Sequence, residues 1–258
     1  MAVYTTEIAS DRLDSDNPIH QRLFKAYHLA LPYMEGEVLE IGCGEGRGIE
    51  LLYKNCQKYV AIDKIGTVIE QLERQFPAVE FHQMNIPPIP EFADHSFDRI
   101  LSFQVIEHIK DDLSFLQEIK RLLKKGGKAL ITTPNHKFTL TRNPWHQREY
   151  FADELQQLAN QVFDKVQIYG IKGNQKVMEY YRQNQLSVQK ITRFDVLDLQ
   201  HRLPASWLRI PYDLLNRLNR RNLQRDDDSL VASISHEDYL LTETAGEGLD
   251  LFCVLTKN

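Results

Sequence analysis

At 258 residues the chain is long for one ordinary domain and short for two, so a single α/β domain with an insertion fits best. Hydrophobic residues make up 42% and charged residues 26%, an ordinary globular composition, and a formal net charge of -5 argues against general binding to nucleic acid backbone. Three cysteines (Cys43, Cys56 and Cys253), odd in number and widely spaced, exclude a disulfide framework and give no metal-ligand pattern, which suits a reducing compartment.

Residues 1–16 read as polar and irregular, and MAVYTTEIASDRL lacks the basic-then-apolar pattern of a signal peptide. No run approaches the roughly 18 apolar residues of a membrane span, so the cytoplasm is the expected location. Asn17-Pro18 reads as a helix N-cap followed by proline at the first helical position, and Leu23, Phe24, Tyr27, Leu31 and Met34 then recur at helical spacing. Residues 37–41 suit a buried strand and 49–53 a helix. KYVAID (58–63) is a second strand ending in an acid, 68–76 a helix, and 79–83 a third strand before a proline-rich loop. FDRILSF (97–103) is a fourth strand. Residues 112–123 form an amphipathic helix closed by Lys124-Lys125-Gly126-Gly127, and KALITT (128–133) is a fifth strand halted by Pro134. Residues 153–159 suit a helix, 162–170 a strand, 172–235 a polar helix-leaning stretch, and LDLFCVLT (249–256) a last strand.

This alternation implies parallel strands with helical crossovers, a doubly wound α/β fold that binds ligands beyond the carboxyl ends of its strands. The densest signal there is VLEIGCGEGRG (38–48), with glycine at every second position from Gly42 to Gly48. Each glycine weakens regular structure by roughly 0.5–1 kcal/mol relative to alanine, so the density implies close approach of main chain to a ligand. Strand, glycine loop, helix, second strand and acid together specify a ribose site, with Asp63 placed to accept from two vicinal hydroxyls. Glu40 within the first strand suggests positive charge on the ligand. The strict dinucleotide fingerprint fails, because Arg47 or Ile49 stands where its third glycine belongs. The looser spacing Gly42, Gly44, Gly48 keeps a nicotinamide-dependent oxidoreductase as the alternative.

EIGCGEG (40–46) resembles the first motif of class I S-adenosylmethionine-dependent methyltransferases, and Asp63 matches that family's second-strand acid. The run SFDRILSFQVIEHIKDDLSFLQEIKRLLKKGGKALITTPN (96–135) is similar to the family's fourth-to-fifth-strand segment, and HQREY (146–150) to a short element after the fifth strand. The likeness is to the group of quinone-biosynthesis and small-molecule or glycan O-methyltransferases, over roughly residues 20–170 and the last strand. It implies a mostly parallel seven-stranded sheet and S-adenosyl-L-methionine as cofactor. The implied cofactor-binding set is Glu40, Gly42, Cys43, Gly44, Gly46, Asp63, Lys64, Asn85, Ile86, Phe103 and Gln104. Arg22 would join them by pairing with the cofactor carboxylate. Asn85 stands where many members carry an aspartate, and Ile86 would offer its backbone N–H to the adenine.

The implied reaction is in-line displacement of a methyl group, which rests mainly on positioning, with a base if the acceptor is a hydroxyl. His146, His108 and Glu107 are the candidate catalytic groups. Packing or capping for His108, and a favourable place at a helix N-terminus for Glu107, are the plainer readings; Tyr150 reads as a packing aromatic. No metal is expected, since adjacent residues such as Glu107 and His108 point differently in regular structure. A noncatalytic protein that only binds the cofactor is the third reading.

The organisation expected is a cap segment and helix over 1–35, a cofactor domain over 36–171 and 249–258, and a helical insertion over 172–248 acting as acceptor lid. HRLPASWLRIPYDLLNRLNRRNLQR (201–225) carries six arginines against one acid, Asp213. It reads as a lid helix that packs its apolar side on the domain with its arginines solvated or paired to Asp226-Asp227-Asp228, or as a contact for an anionic membrane surface or a phosphate-bearing acceptor. The expected acceptor is a small molecule, a glycan or a lipid-linked molecule, with no nucleic acid partner; the sequence leaves the oligomeric state open.

Overall fold

The computed structural model describes residues 13–258 except Phe194, Val196 and Leu197, so the reading of residues 1–12 lies outside the described residues. The elements in chain order are α1 (Asn17–Ala30), β1 (Glu37–Ile41), α2 (Ile49–Leu52), β2 (Lys58–Asp63), α3 (Gly66–Gln75), β3 (Glu80–Gln83), β4 (Phe97–Phe103), α4 (Asp112–Leu122) and β5 (Leu123–Pro134). There follow α5 (Ala152–Asn160), β6 (Lys165–Gly173), α6 (Gln175–Thr192), α7 (Leu199–Arg202), α8 (Ala205–Asp226), α9 (Asp228–Ser233), β7 (Tyr239–Thr242) and β8 (Asp250–Thr256).

The strands make one sheet in the order β3-β2-β1-β4-β5-β8-β6-β7. The first five run parallel, whereas β8 is antiparallel to both β5 and β6. The mostly parallel, doubly wound sheet is as expected, but it has eight strands, not seven. The additional edge strand β7 pairs antiparallel with β6 from Gly170↔Thr242 to Gly173↔Tyr239. Only four residues long and flanked by polar sequence, YLLT has too little alternation to announce itself.

Strand periodicity sorts the core into two layers. Val38, Tyr59, Ala61, Leu101 and Leu130 face a cluster with α1, α2, α3 and α6, while Leu39, Ile41, Val60, Ile62, Ile100 and Ile131 face α4 and α5. Each fully buried aliphatic side chain contributes about 1.5–3 kcal/mol, so both faces are specified. Because β1 sits between β2 and β4, the direction of winding reverses there, and a crevice opens at the carboxyl ends of these strands.

Two local expectations are corrected. Asn17 is not the N-cap of α1; Asp16 takes that place, and the Asn17 amide instead donates to the carbonyls of Val231 (2.8 Å) and Ile234 (2.9 Å). The run 124–127 is not a simple helix stop. Leu123 already pairs with Phe97, the register slips, and pairing resumes at Arg99↔Lys128, so these residues form a bulge within β5.

The helices between β6 and β7 are anchored on the amino-terminal segment. Asp16, fully buried, is held by Arg217 (2.9 Å) and Arg220 (3.0 Å) of α8, and the Tyr239 hydroxyl donates to the Pro18 carbonyl (2.6 Å). Two of the six arginines in 201–225 are thus spent inside the structure.

Gly48 shows that not every glycine of the loop serves a ligand. A Cβ there would lie 1.7 Å from the Tyr27 ring, and the Tyr27 hydroxyl is itself fixed on Glu40. Gly48→Ala is therefore expected to destabilise the fold by about 2 kcal/mol or more through overpacking, read as a lower urea midpoint at unchanged slope.

Candidate active site

Two cavities of about 250 Å³ each meet at the sheet's carboxyl edge. The first is bounded by the glycine loop, the end of β2 and the segment after β3. Gly42, Gly44, Asp63, Lys64, Asn85, Ile86 and Gln104 all line it. At Gly44 (φ +51) an added Cβ would meet nothing within 4 Å, so bare main chain faces open space. The Asp63 carboxylate accepts from Gly44 N–H (2.9 Å, Oδ2) and Ile65 N–H (3.0 Å, Oδ1), and each oxygen keeps further acceptor capacity. A cradle of exposed backbone beside such a carboxylate fits an adenosyl group well.

Five residues expected at the ligand do not line this cleft. Cys43 is buried, and Phe103 packs edge-on against Tyr27 (4.9 Å between centroids). A Cβ on Gly46 would lie 2.5 Å from Leu72, so this glycine serves helix packing. Arg22 lies on the second cavity, 3.2 Å from buried Asp250. Glu40 turns away into the core, where Oε1 accepts from Tyr27 (2.7 Å) and Oε2 from Tyr59 (2.8 Å). Burial, opposed by these two hydrogen bonds, pushes the Glu40 carboxyl up to about 7.

That shift carries a stability consequence. The folded chain retains the Glu40 proton above the pH at which the unfolded chain releases it. The stabilisation is full below about 4.5 and is lost as pH rises through about 7. Glu40→Gln is expected to reduce the loss of denaturation midpoint between those limits relative to wild type, although Glu107 keeps its own contribution of the same sign.

The second cavity lies between β5, α1 and the helices α6 and α8. At its floor is the turn Ile106–His108 that follows β4. Glu107 is buried, accepts from the Thr133 hydroxyl (3.1 Å), and is pushed up to about 7 by burial, which the nearby His146 only partly offsets. His108 Nδ1 is 2.9 Å from the Trp145 carbonyl, which can only accept, so Nδ1 carries the hydrogen and Nε2 is the basic nitrogen. His146 Nδ1 is 2.6 Å from Glu149 Oε1, and its Nε2 takes the Asn143 amide at 2.8 Å. The two imidazoles meet edge to face at 4.9 Å.

Glu149 is the functional candidate that the sequence reading passed over, although HQREY contains it. Burial raises its carboxyl, but hydrogen bonds from His146 and Thr139, the His146 charge and a hydrogen bond from His136 together hold it below the usual range. It is thus an anion set against the His146 ring. Tyr150 is a buried aromatic whose hydroxyl donates to Asp112 (2.9 Å). Against expectation, the ligand atoms of Glu107, His108 and His146 lie within 4.8 Å of one another, because a tight turn rather than a regular helix carries the adjacent pair.

Residues 39–131 match the sequence profile described as a methyltransferase domain. A Mycobacterium tuberculosis protein named "Probable S-adenosylmethionine-dependent methyltransferase" is 36% identical over 152 residues, covering 57% of this chain and 55% of that protein. The human mitochondrial ubiquinone biosynthesis O-methyltransferase is 31% identical over 111 residues, covering 40% and 30%. The chain therefore spans about half the length, or less, of these curated relatives. Among solved structures, a methyltransferase from Thermotoga maritima superposes with a TM-score of 0.57 at 17% identity, covering 93% of this chain and 89% of that one. The [4+2]-cyclase SpnF superposes at 0.55 with 15% identity, covering 92% and 81%. These likenesses establish the fold, and the cyclase among them shows that fold alone does not set the reaction.

Proposed function

We propose, from the premise that this chain carries the methyltransferase domain of the class I S-adenosylmethionine-dependent family, that it methylates an oxygen of a small, hydroxyl-bearing acceptor. One observation carries the reading: Gln104 and His108 line both cavities, so the glycine-loop cleft opens onto the second cavity beside a cluster of bases. When bound, S-adenosylmethionine supplies a methyl group activated by its sulfonium. Gly44 and Asp63 hold the adenosyl part. Glu107, His108 and His146 would surround the place where an acceptor hydroxyl meets that group; the basic Nε2 of His108 can take its proton, and so can that of His146 once an acceptor displaces the Asn143 amide from it. Glu149 stabilises the imidazolium formed at His146.

The far wall of the second cavity supports an acceptor rich in hydroxyls, of small-molecule or glycan type. Tyr180 and Tyr212 offer rings and hydroxyls and Asn184 and Asn216 offer amides, while the Tyr181 hydroxyl and the Asn219 amide are held by Phe138, Ser187 and Asn184 and shape the wall. Helices α6 and α8 cover this wall and exclude water from the reacting pair. The nicotinamide alternative has no support from the family match. The test is release of S-adenosylhomocysteine in a screen of phenols, sugars and quinone precursors. Turnover with at least one hydroxylated acceptor is expected; cofactor binding without turnover on any of them would favour the noncatalytic reading.

A second reading of the same cluster is favoured by the convergence of Glu107, His108 and His146 on one point. There a divalent cation would lower the affinity of the acceptor hydroxyl for its proton. Turnover surviving EDTA supports the base; turnover lost to EDTA and restored by added Mg²⁺ or Mn²⁺ supports the cation.

A further inference from the structure

Helix α8 divides its residues between two faces. Tyr212, Asn216, Asn219 and Arg220 turn inward to the acceptor cavity. On the opposite side, Trp207, Ile210, Leu214 and Leu218 follow one another at spacings of three, four and four residues, which is a single helical stripe. These side chains are 70%, 80%, 60% and 47% exposed. Arg221 and Arg225 continue the same stripe, and Arg202 stands just before the helix; all three are exposed. The one acid within residues 202–225, Asp213, lies off the stripe with Oδ1 3.2 Å from Trp145 Nε1.

Four large apolar side chains in a row on a water-exposed face imply an occupant. The charges select it. A second copy packed through this face would bring Arg221 and Arg225 against their own kind in a parallel pairing. In an antiparallel pairing it would bring them against the region of Arg202, where only Asp226 and Asp228, beyond the end of the stripe, could answer. A surface of negative charge over an apolar interior answers both features at once, because the apolar side chains enter below the head groups while the arginines pair with phosphates. Asp226, Asp227 and Asp228 follow Arg225 directly and reduce the positive charge at that end, so the patch rests on Arg202 before the helix and on Arg221 and Arg225 along the stripe itself.

We propose that the outward face of α8 docks on an anionic lipid bilayer. The helix then has a bilayer on one side and the acceptor cavity on the other, so the cavity wall is set close to the lipid surface. This goes beyond the methyl-transfer reading and does not depend on it. In the described residues no helix is long and apolar enough to cross a membrane, so the contact is peripheral.

The test is flotation of the full chain with phosphatidylglycerol–phosphatidylcholine vesicles, against vesicles of phosphatidylcholine alone. Binding to the anionic vesicles is expected to be at least about tenfold stronger and to weaken as salt is added. Arg221→Glu with Arg225→Glu should weaken it by roughly twentyfold or more, since each arginine near such a surface contributes about fivefold. Ile210→Ser with Leu214→Ser should weaken it comparably by removing the inserted side chains. Both double variants alter exposed positions, and unchanged binding of S-adenosylhomocysteine will verify that they fold. Equal binding to both vesicle types, or none to either, overturns the proposal. So does a dimer in sedimentation equilibrium that the Ile210→Ser, Leu214→Ser variant disperses.

Discussion

Asp63→Ala is expected to weaken binding of S-adenosylhomocysteine by about a hundredfold, since hydrogen bonds to a charged group contribute roughly 1.5–3 kcal/mol each and two ribose hydroxyls are at stake. The same carboxylate also ties Gly44 N–H and Ile65 N–H, so its removal loosens the loop that the ligand must meet. Asp63→Asn keeps one acceptor oxygen and should cost about tenfold. Calorimetric titration measures both, and denaturation midpoints show whether the variants remain folded. Unchanged affinity in Asp63→Ala would mean that the ribose is held elsewhere.

The second large effect concerns the His146–Glu149 pair. His146→Ala is expected to lower kcat by about 100- to 10,000-fold, the range for losing a general base, while binding of S-adenosylhomocysteine changes less than about twofold. Glu149→Gln should lower kcat by about tenfold, because the 2.6 Å contact persists without the charge that stabilises the protonated ring. If His146→Ala retains full turnover, His108 Nε2 takes the proton instead, and His108→Ala should then carry the loss.

What the sequence revealed depended on how local each signal was. Strands β1, β2 and β4 were readable to the residue because apolar runs bounded by glycine, acid and polar segments need no partner to be recognised. Seven residues named from the sequence line one cleft, since strand ends and the loops after them converge wherever a parallel sheet reverses its winding. Long-range pairing was not readable. Nothing near Glu40 announces that Tyr27 and Tyr59 will take its two oxygens and turn it from ligand to core. Asn17 looks like a cap until Val231 and Ile234, more than 200 residues away, claim its amide. Arg22 was read toward the cofactor, whereas buried Asp250 of the last strand draws it to the second cavity. The basic stretch 201–225 announced an amphipathic helix, but not that Asp16 would take up Arg217 and Arg220.

Wild-type chain titrated calorimetrically with S-adenosylhomocysteine and, in parallel, with NADH bears most directly on the glycine-loop cleft as an adenosyl-sulfonium site. Saturable one-to-one binding of S-adenosylhomocysteine with no heat from NADH is the expected result. Binding of NADH, or none of S-adenosylhomocysteine, would contradict it.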